Sequence, residues 1–244
     1  MHATCPNFSL AIRSVTSATL PTMRRALVIV GKAPIPGQTK TRLVPPLLPA
    51  EAAELYRGFL LDCVNLGLDL GWERVSVVYP AGSGQLLAEM LPTRVTLVEQ
   101  SGHGLGDALS SAFDRHFADG FVRVVLIGSD NPTLPPEPIH EACAALDDHD
   151  LSIGPTCDGG YYLLGMRAAH LGVFENIDWS TPRVYAQTLA RAFGSGLRVH
   201  TVQEWYDVDE PPDLERLRGD LRSLPRDVAP NTRAALDRVT LVTS

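Results

Sequence analysis

The chain is short of cysteine, of positive charge and of long apolar runs, and each shortage closes off a class of function. Its four cysteines, Cys5, Cys63, Cys143 and Cys157, show no metal-ligand spacing, and they are too few to staple a chain of 244 residues. A cysteine-built metal centre and a disulfide framework are therefore excluded, and a reducing cytoplasm is the expected setting. Lys and Arg number 21 against 28 Asp and Glu, a net charge of −7. That balance excludes a broad electrostatic grip on nucleic acid but leaves room for a local basic pocket. With no run of about 18 apolar residues, no membrane span is expected. The polar, Ser/Thr-rich residues 1–22 lack an apolar h-region and a cleavage-like end, which argues against a secretory signal. They are expected to form a poorly ordered extension, with Met23, directly before Arg24 and Arg25, as a candidate true start.

What is present is an ordinary globular composition, 45% apolar and 20% charged, in a chain long enough to bury a substantial core. No internal repeat or low-complexity linker divides it, so residues 23–224 are expected to form one domain, followed by a tail at 225–244 with a weak pattern. Short β-branched runs at 26–30, 74–79, 94–98, 122–127, 151–154, 161–164 and 197–202 read as strands. Helical-period segments at 51–68, 106–117, 136–146, 182–193 and 212–224 lie between them, with Pro182 and Pro212 near first turns. This alternation predicts a Rossmann-like α/β fold of three layers around a mainly parallel sheet. Because the strand at 161–164 directly follows another across Gly159-Gly160, the sheet is expected to become mixed there.

Ligands in open α/β sheets sit beyond the carboxyl ends of the strands. Asp130 lies just past the apolar run 122–127, and Asp209 also follows a strand, so the two carboxylates could share one Mg²⁺ or Mn²⁺ with substrate phosphates. The bland alternative for Asp130 is an Asx turn or a helix cap, and Asp213, three residues before Arg216, reads as a helix-start charge. The first strand runs into a loop holding Gly31, Lys32, Gly37, Lys40 and Arg42. Glycine backbone can approach phosphate oxygens there, and the cations can neutralise them; a surface loop with scattered charges is the alternative. The spacing is not that of a Walker A loop, which excludes a P-loop kinase. Gln100 and Gly106 bracket a glycine-rich turn before a helix, where an amide could read a base edge. Asp158, ahead of Gly159 and Gly160, is a candidate general base toward an acceptor hydroxyl, or else a turn residue.

Together the segments Lys32-Ala-Pro-Ile-Pro-Gly-Gln-Thr-Lys-Thr-Arg-Leu, Gly128-Ser-Asp-Asn-Pro-Thr-Leu-Pro, Gly154-Pro-Thr-Cys-Asp-Gly-Gly-Tyr-Tyr-Leu-Leu-Gly and Asp207-Val-Asp-Glu-Pro-Pro-Asp-Leu resemble, in this order, the DUF2064 family of GT-A-like proteins. Members are often labelled arsenosugar-biosynthesis-type glycosyltransferases. The resemblance spans about residues 24 to 220. It is placed with the nucleotide-diphospho-sugar transferases and is similar to phospholactate guanylyltransferases and molybdenum-cofactor nucleotidyltransferases. What the resemblance implies is nucleotide phosphate at Lys32, Lys40 and Arg42, base or ribose near Gln100 and Gly106, metal at Asp130 and Asp209, and an acceptor near Asp158. The expected activity is glycosyl transfer from a nucleotide-diphospho-sugar donor to a small acceptor. Nucleotidyl transfer from an NTP to a phosphorylated small molecule is the alternative, and a nonenzymatic nucleotide-binding module is the rival from another class. The family usually carries Thr-Asp-Ser-Pro where this chain has Ser129-Asp130-Asn131-Pro132, so a neighbouring hydroxyl becomes an amide. GT-A glycosyltransferases often carry Asp-x-Asp at this position, and here one Asp stands alone.

Overall fold

The computed structural model describes residues 24–239, so the expectations about residues 1–22 and Met23 lie outside the described residues. Seven strands form one sheet: β1 (Arg25–Val30), β2 (Arg74–Tyr79), β3 (Thr96–Glu99), β4 (Arg123–Gly128), β5 (Leu151–Pro155), β6 (Tyr161–Met166) and β7 (Val199–Thr201), in the order β3-β2-β1-β4-β6-β5-β7. The helices are α1 (Pro49–Asp69), α2 (Gly84–Met90), α3 (Leu105–Ala118), α4 (Glu137–Ala145), α5 (Val184–Gly194), α6 (Pro211–Ser223) and α7 (Pro230–Leu236). Only β6 runs against its neighbours β4 and β5, as the short Gly-Gly connection requires: it leaves no room for the crossover that a parallel neighbour needs.

The apolar strand runs are continuous because both faces of the sheet are covered. Leu27 and Ile29 of β1 pack with Leu60, Cys63 and Val64 of α1 and with Ile139 and Cys143 of α4. Ala26 and Val28, pointing the other way, pack with Ala108, Leu109 and Phe113 of α3. Each buried leucine, isoleucine, valine or phenylalanine among them stabilises the fold by roughly 1.5–3 kcal/mol. The expected strand at 94–98 starts later because residue 95 closes a turn onto Pro92, its N–H donating to the Pro92 carbonyl at 2.9 Å. The one expected at 197–202 is shorter because Leu197 N–H is spent on the Ala192 carbonyl, 3.0 Å away, at the end of α5.

The weakly patterned segment after 225 folds back as α7 against α1. Asp62, on α1 and buried, accepts from Asn231 N at 3.1 Å, Asn231 Nδ2 at 2.7 Å and Thr232 N at 2.8 Å, which satisfies the free amides of the first turn of α7. The helix is seven residues long and is made by this remote carboxylate, a cause that periodicity does not show.

Away from the strand ends, the fully buried His116 carries the clearest pH signature. Its Nδ1 lies 2.6 Å from the Ala112 carbonyl, which can only accept, so Nδ1 holds the proton and Nε2 accepts from Ser76 Oγ at 2.8 Å. Burial, the largest influence, holds its pKa below the ordinary histidine value. A depressed folded pKa gives stability that is present above the unfolded value of about 6.5 and is lost as pH falls through the folded one. The melting temperature is expected to fall further between about pH 7.5 and 5 than it does in His116→Gln. Parallel pH profiles of the two proteins would contradict this.

Candidate functional site

In a doubly wound sheet the ligand crevice opens where successive crossovers run to opposite sides. Here that point lies between β1, from which the chain continues outward to β2 and β3, and β4. Val30 pairs in register with Gly128, so Gly31 and Ser129-Asp130 emerge side by side at the same edge. A cavity of about 670 Å³ opens above them, within the size range of small-molecule sites.

The loop after β1 is braced before it reaches the cavity. Gly31 N–H donates to the Val78 carbonyl at 3.0 Å and Lys32 N–H to Tyr56 Oη at 3.0 Å. Tyr56 Oη is in turn 2.7 Å from Ser129 Oγ, so α1, the loop and the end of β4 are locked together. Burial, then the Asp130 charge, raise the Tyr56 phenol well above its ordinary range and keep it protonated. A Cβ on Gly31 would stand 3.1 Å from Leu60 Cδ1, a contact that the leucine would have to yield to. Thr39 Oγ1 accepts from Ile35 N–H at 3.1 Å and donates to the Ala33 carbonyl at 3.2 Å. Gly37 and Lys40 turn the chain with φ of 77° and 52°, so that Lys40 points inward.

Lys40 is the centre of the site. Its Nζ lies 2.5 Å from Asp130 Oδ1 and 2.8 Å from Asp209 Oδ1, with the side chain only 5% exposed. The rings of Tyr56 and Phe59 flank the ammonium at 5.9 and 5.7 Å. Burial pulls the Lys40 pKa down, but the charges of Asp130 and Asp209 outweigh it, so the group stands above an ordinary lysine. Burial likewise pushes Asp209 up, and Lys40 and Arg42 more than reverse it, so Asp209 remains ionised. Arg42, at the solvent lip, pairs with Asp209 Oδ2 at 2.5 Å and with Glu210 Oε1 at 3.0 Å.

The acidic loop is held by its own bonds. Val208 N–H donates to the Asp130 carbonyl at 3.0 Å, and Asn131 Nδ2 donates to the Tyr206 carbonyl at 2.8 Å and to Asp207 Oδ1. This explains the amide at 131: a serine hydroxyl has a single proton and could not make both bonds. Asp213 Oδ2 accepts from Asp209 N at 3.1 Å and Glu210 N at 2.8 Å at the start of α6, the helix-start role its position suggests. Burial first, and the Asp130 charge next, raise Asp207 to about 7.

The structure brings Gly31, Lys32, Lys40, Arg42, Gln100, Asp130 and Asp209 to the lining of one cavity. Gly37 is not on it and serves the turn. Gly106 is not on it either: a Cβ there would meet Trp179 Nε1 at 2.7 Å, so its glycine makes room for an indole. Asp158 also lies off the cavity, and its Oδ1 accepts from Thr156 Oγ1 at 2.5 Å and Gly160 N at 3.0 Å, the turn alternative. Sequence reasoning missed Tyr56, Ser129 and Asp207. Of these only Asp207 had a visible signal, its place two residues before Asp209.

The donor set fits a hard divalent cation. Asp130 Oδ1 is buried and meets Lys40 as a close ion pair without hydrogen-bond geometry. Among the described residues no three His, Cys, Asp or Glu side chains form a ready-made cage. Two carboxylates with substrate oxygens and water completing the shell is the usual pattern for Mg²⁺.

A mixed three-layer α/β sheet with an acidic and cationic cavity at its switch point defines a GT-A-like protein. The chain belongs to the DUF2064 family, described as "Uncharacterized protein conserved in bacteria", whose pattern it matches over residues 65–181. A solved structure from Desulfovibrio desulfuricans G20, provisionally described as a nucleotide-diphospho-sugar transferase, is 34% identical with a TM-score of 0.80, covering 87% of this chain and 94% of that one. A nucleotidyl transferase from Methanothermobacter thermautotroptrophicus is 16% identical with a TM-score of 0.57, covering 82% of this chain and 99% of its own. A protein from Mycobacterium sp. strain JC1 is 17% identical with a TM-score of 0.53, covering 83% and 99%. These last two share the fold. No curated protein matches the sequence. Among the described residues no helix is long and apolar enough to cross a membrane.

Proposed function

We propose that the protein is a divalent-metal-dependent transferase that moves a glycosyl group from a nucleotide-diphospho-sugar to a small acceptor. The observation that carries this is the convergence of Asp130, Asp209, Lys40 and Arg42 on the lining of the cavity at the switch point. The 34% identical relative, by its description, supports the donor class. Asp130 and Asp209 would hold Mg²⁺ or Mn²⁺, which supplies positive charge against the diphosphate leaving group. Lys32 and Arg42 line the same cavity and would neutralise phosphate oxygens as charge builds on them. Gln100, whose amide donates toward the Gly102 and Gly104 carbonyls at 3.5 and 3.4 Å, also lines the cavity and is the candidate neighbour of the base or ribose.

The acceptor belongs in a second pocket of about 180 Å³ that shares Leu105, Ser129 and Asp130 with the first and is further lined by Leu109 and Tyr161. Asp207 is the further carboxylate on that wall, which makes it a better candidate than Asp158 to face an acceptor hydroxyl. Nucleotidyl transfer is the second reading, favoured by the lone carboxylate at the end of β4 and by the three cations Lys32, Lys40 and Arg42.

Calorimetry with nucleoside diphosphates, nucleotide-diphospho-sugars and NTPs, each with and without Mn²⁺, tests the proposal. At least one diphosphate or its sugar is expected to bind about ten-fold or more tighter with Mn²⁺, a difference of roughly 1.4 kcal/mol. A preference confined to one NTP selects nucleotidyl transfer. Affinity for none, or affinity indifferent to Mn²⁺, overturns the metal-dependent reading.

A further inference from the structure

Lys40 is buried, its side chain 5% exposed. Its ammonium stands between Asp130 Oδ1 and Asp209 Oδ1, where each carboxylate offers the oxygen that a shared cation would take. An ammonium at 2.5 and 2.8 Å and a metal ion at about 2.0–2.6 Å cannot both bridge the same two oxygens. The free protein therefore already has a cation in that seat. Arg42 adds a further positive charge on Asp209 Oδ2. A divalent ion arriving alone meets carboxylates that are already neutralised, and it must expel Lys40 from both contacts.

Nucleotide changes this balance. A diphosphate in the cavity brings several negative oxygens to the wall that Lys40 lines. The lysine stem is flexible and its ammonium is a compact donor that can exchange one oxygen partner for another. We infer that Lys40 is the resident counter-cation of the Asp130–Asp209 pair and passes to the nucleotide phosphates as the metal takes its seat, so that Lys40 couples metal binding to nucleotide binding. This rests on the reading of Asp130 and Asp209 as metal ligands given above. Lys40 then acts as a positioning residue: it holds the two carboxylates together until donor and metal arrive. Linkage makes the effect reciprocal, since whatever factor the phosphates add to metal affinity the metal adds to theirs.

The test is protein-bound Mn²⁺ on the full chain, measured by equilibrium dialysis at matched free Mn²⁺ with and without inorganic pyrophosphate as the phosphate probe, against a protein-free control. Wild type is expected to bind Mn²⁺ weakly alone and at least about ten-fold tighter with pyrophosphate, within the roughly 5–150-fold span of ordinary coupling. Lys40→Met is expected to bind Mn²⁺ alone about ten-fold tighter than wild type does and to gain much less from pyrophosphate. Lys40→Gln, whose amide still donates to a carboxylate, serves in its place should Lys40→Met fail to fold. Wild type and both variants binding Mn²⁺ alone with equal affinity would overturn the coupling while leaving the metal site intact. Failure of every protein to bind Mn²⁺, with or without pyrophosphate, would remove the metal site itself and the coupling with it.

Discussion

Asp130→Asn is expected to fold normally and to lose turnover by about 10²–10³-fold, the scale seen when one group that stabilises developing charge is removed. Folding survives because the backbone role of residue 130, accepting from Val208 N–H, does not use its side chain. Lys40 also keeps its bond to Asp209. What disappears is the carboxylate on which a shared ion depends, so calorimetry should show nucleotide affinity that no longer responds to Mn²⁺. Wild-type turnover in the folded variant would place the chemistry elsewhere. Asp158→Asn in the same assay separates its two readings: a positioned general base would lose about 10²–10⁴-fold, whereas a turn residue lowers only the melting temperature.

Gly159→Ala is expected to cost the fold about 3 kcal/mol or more, a drop in melting temperature of roughly 6–12 °C for a chain of this size. Gly159 has φ of 88°, a region that costs a residue with a Cβ roughly 1–2 kcal/mol. An added Cβ would also lie 2.2 Å from the Pro182 carbonyl oxygen, which is backbone and cannot swing aside. The contact is fixed from the other side as well, since Tyr185 N–H donates to the Gly159 carbonyl at 2.9 Å at the start of α5. Gly37→Ala makes the comparison, because a Cβ there would have nothing within 4 Å of it and only the φ of 77° opposes the change. Equal melting temperatures for the two variants would show that the segment before α5 moves freely, contrary to this account.

These residues also show which features of the protein can be read from its sequence. The end of β4 is legible because an apolar run that stops at a lone carboxylate has a local meaning, and the register of Val30 with Gly128 turns that meaning into a site. The mixed sheet is legible because Gly159-Gly160 is too short for a crossover. Lys40 is legible as a cation in the loop after β1. Its pairing with Asp209, 169 positions away, is not, so its present role as a counter-ion could not be inferred. Gly106 and Asp158 belong to residue types that serve both ligands and turns, and the deciding neighbours, Trp179 and Gly160, are visible only in three dimensions. Asn131 departs from the family pattern at a position whose reason lies in the bonds to Tyr206 and Asp207.

The central claim is that Asp130 and Asp209 form one cation seat beside a nucleotide phosphate cavity. Anomalous diffraction from crystals grown with Mn²⁺ and the best-binding nucleotide diphosphate tests it most directly. The predicted result is a single manganese peak about 2.0–2.6 Å from a carboxylate oxygen of each aspartate, with Lys40 Nζ moved onto a phosphate oxygen. A nucleotide bound in the cavity with Lys40 still bridging the two carboxylates and no manganese between them would contradict it.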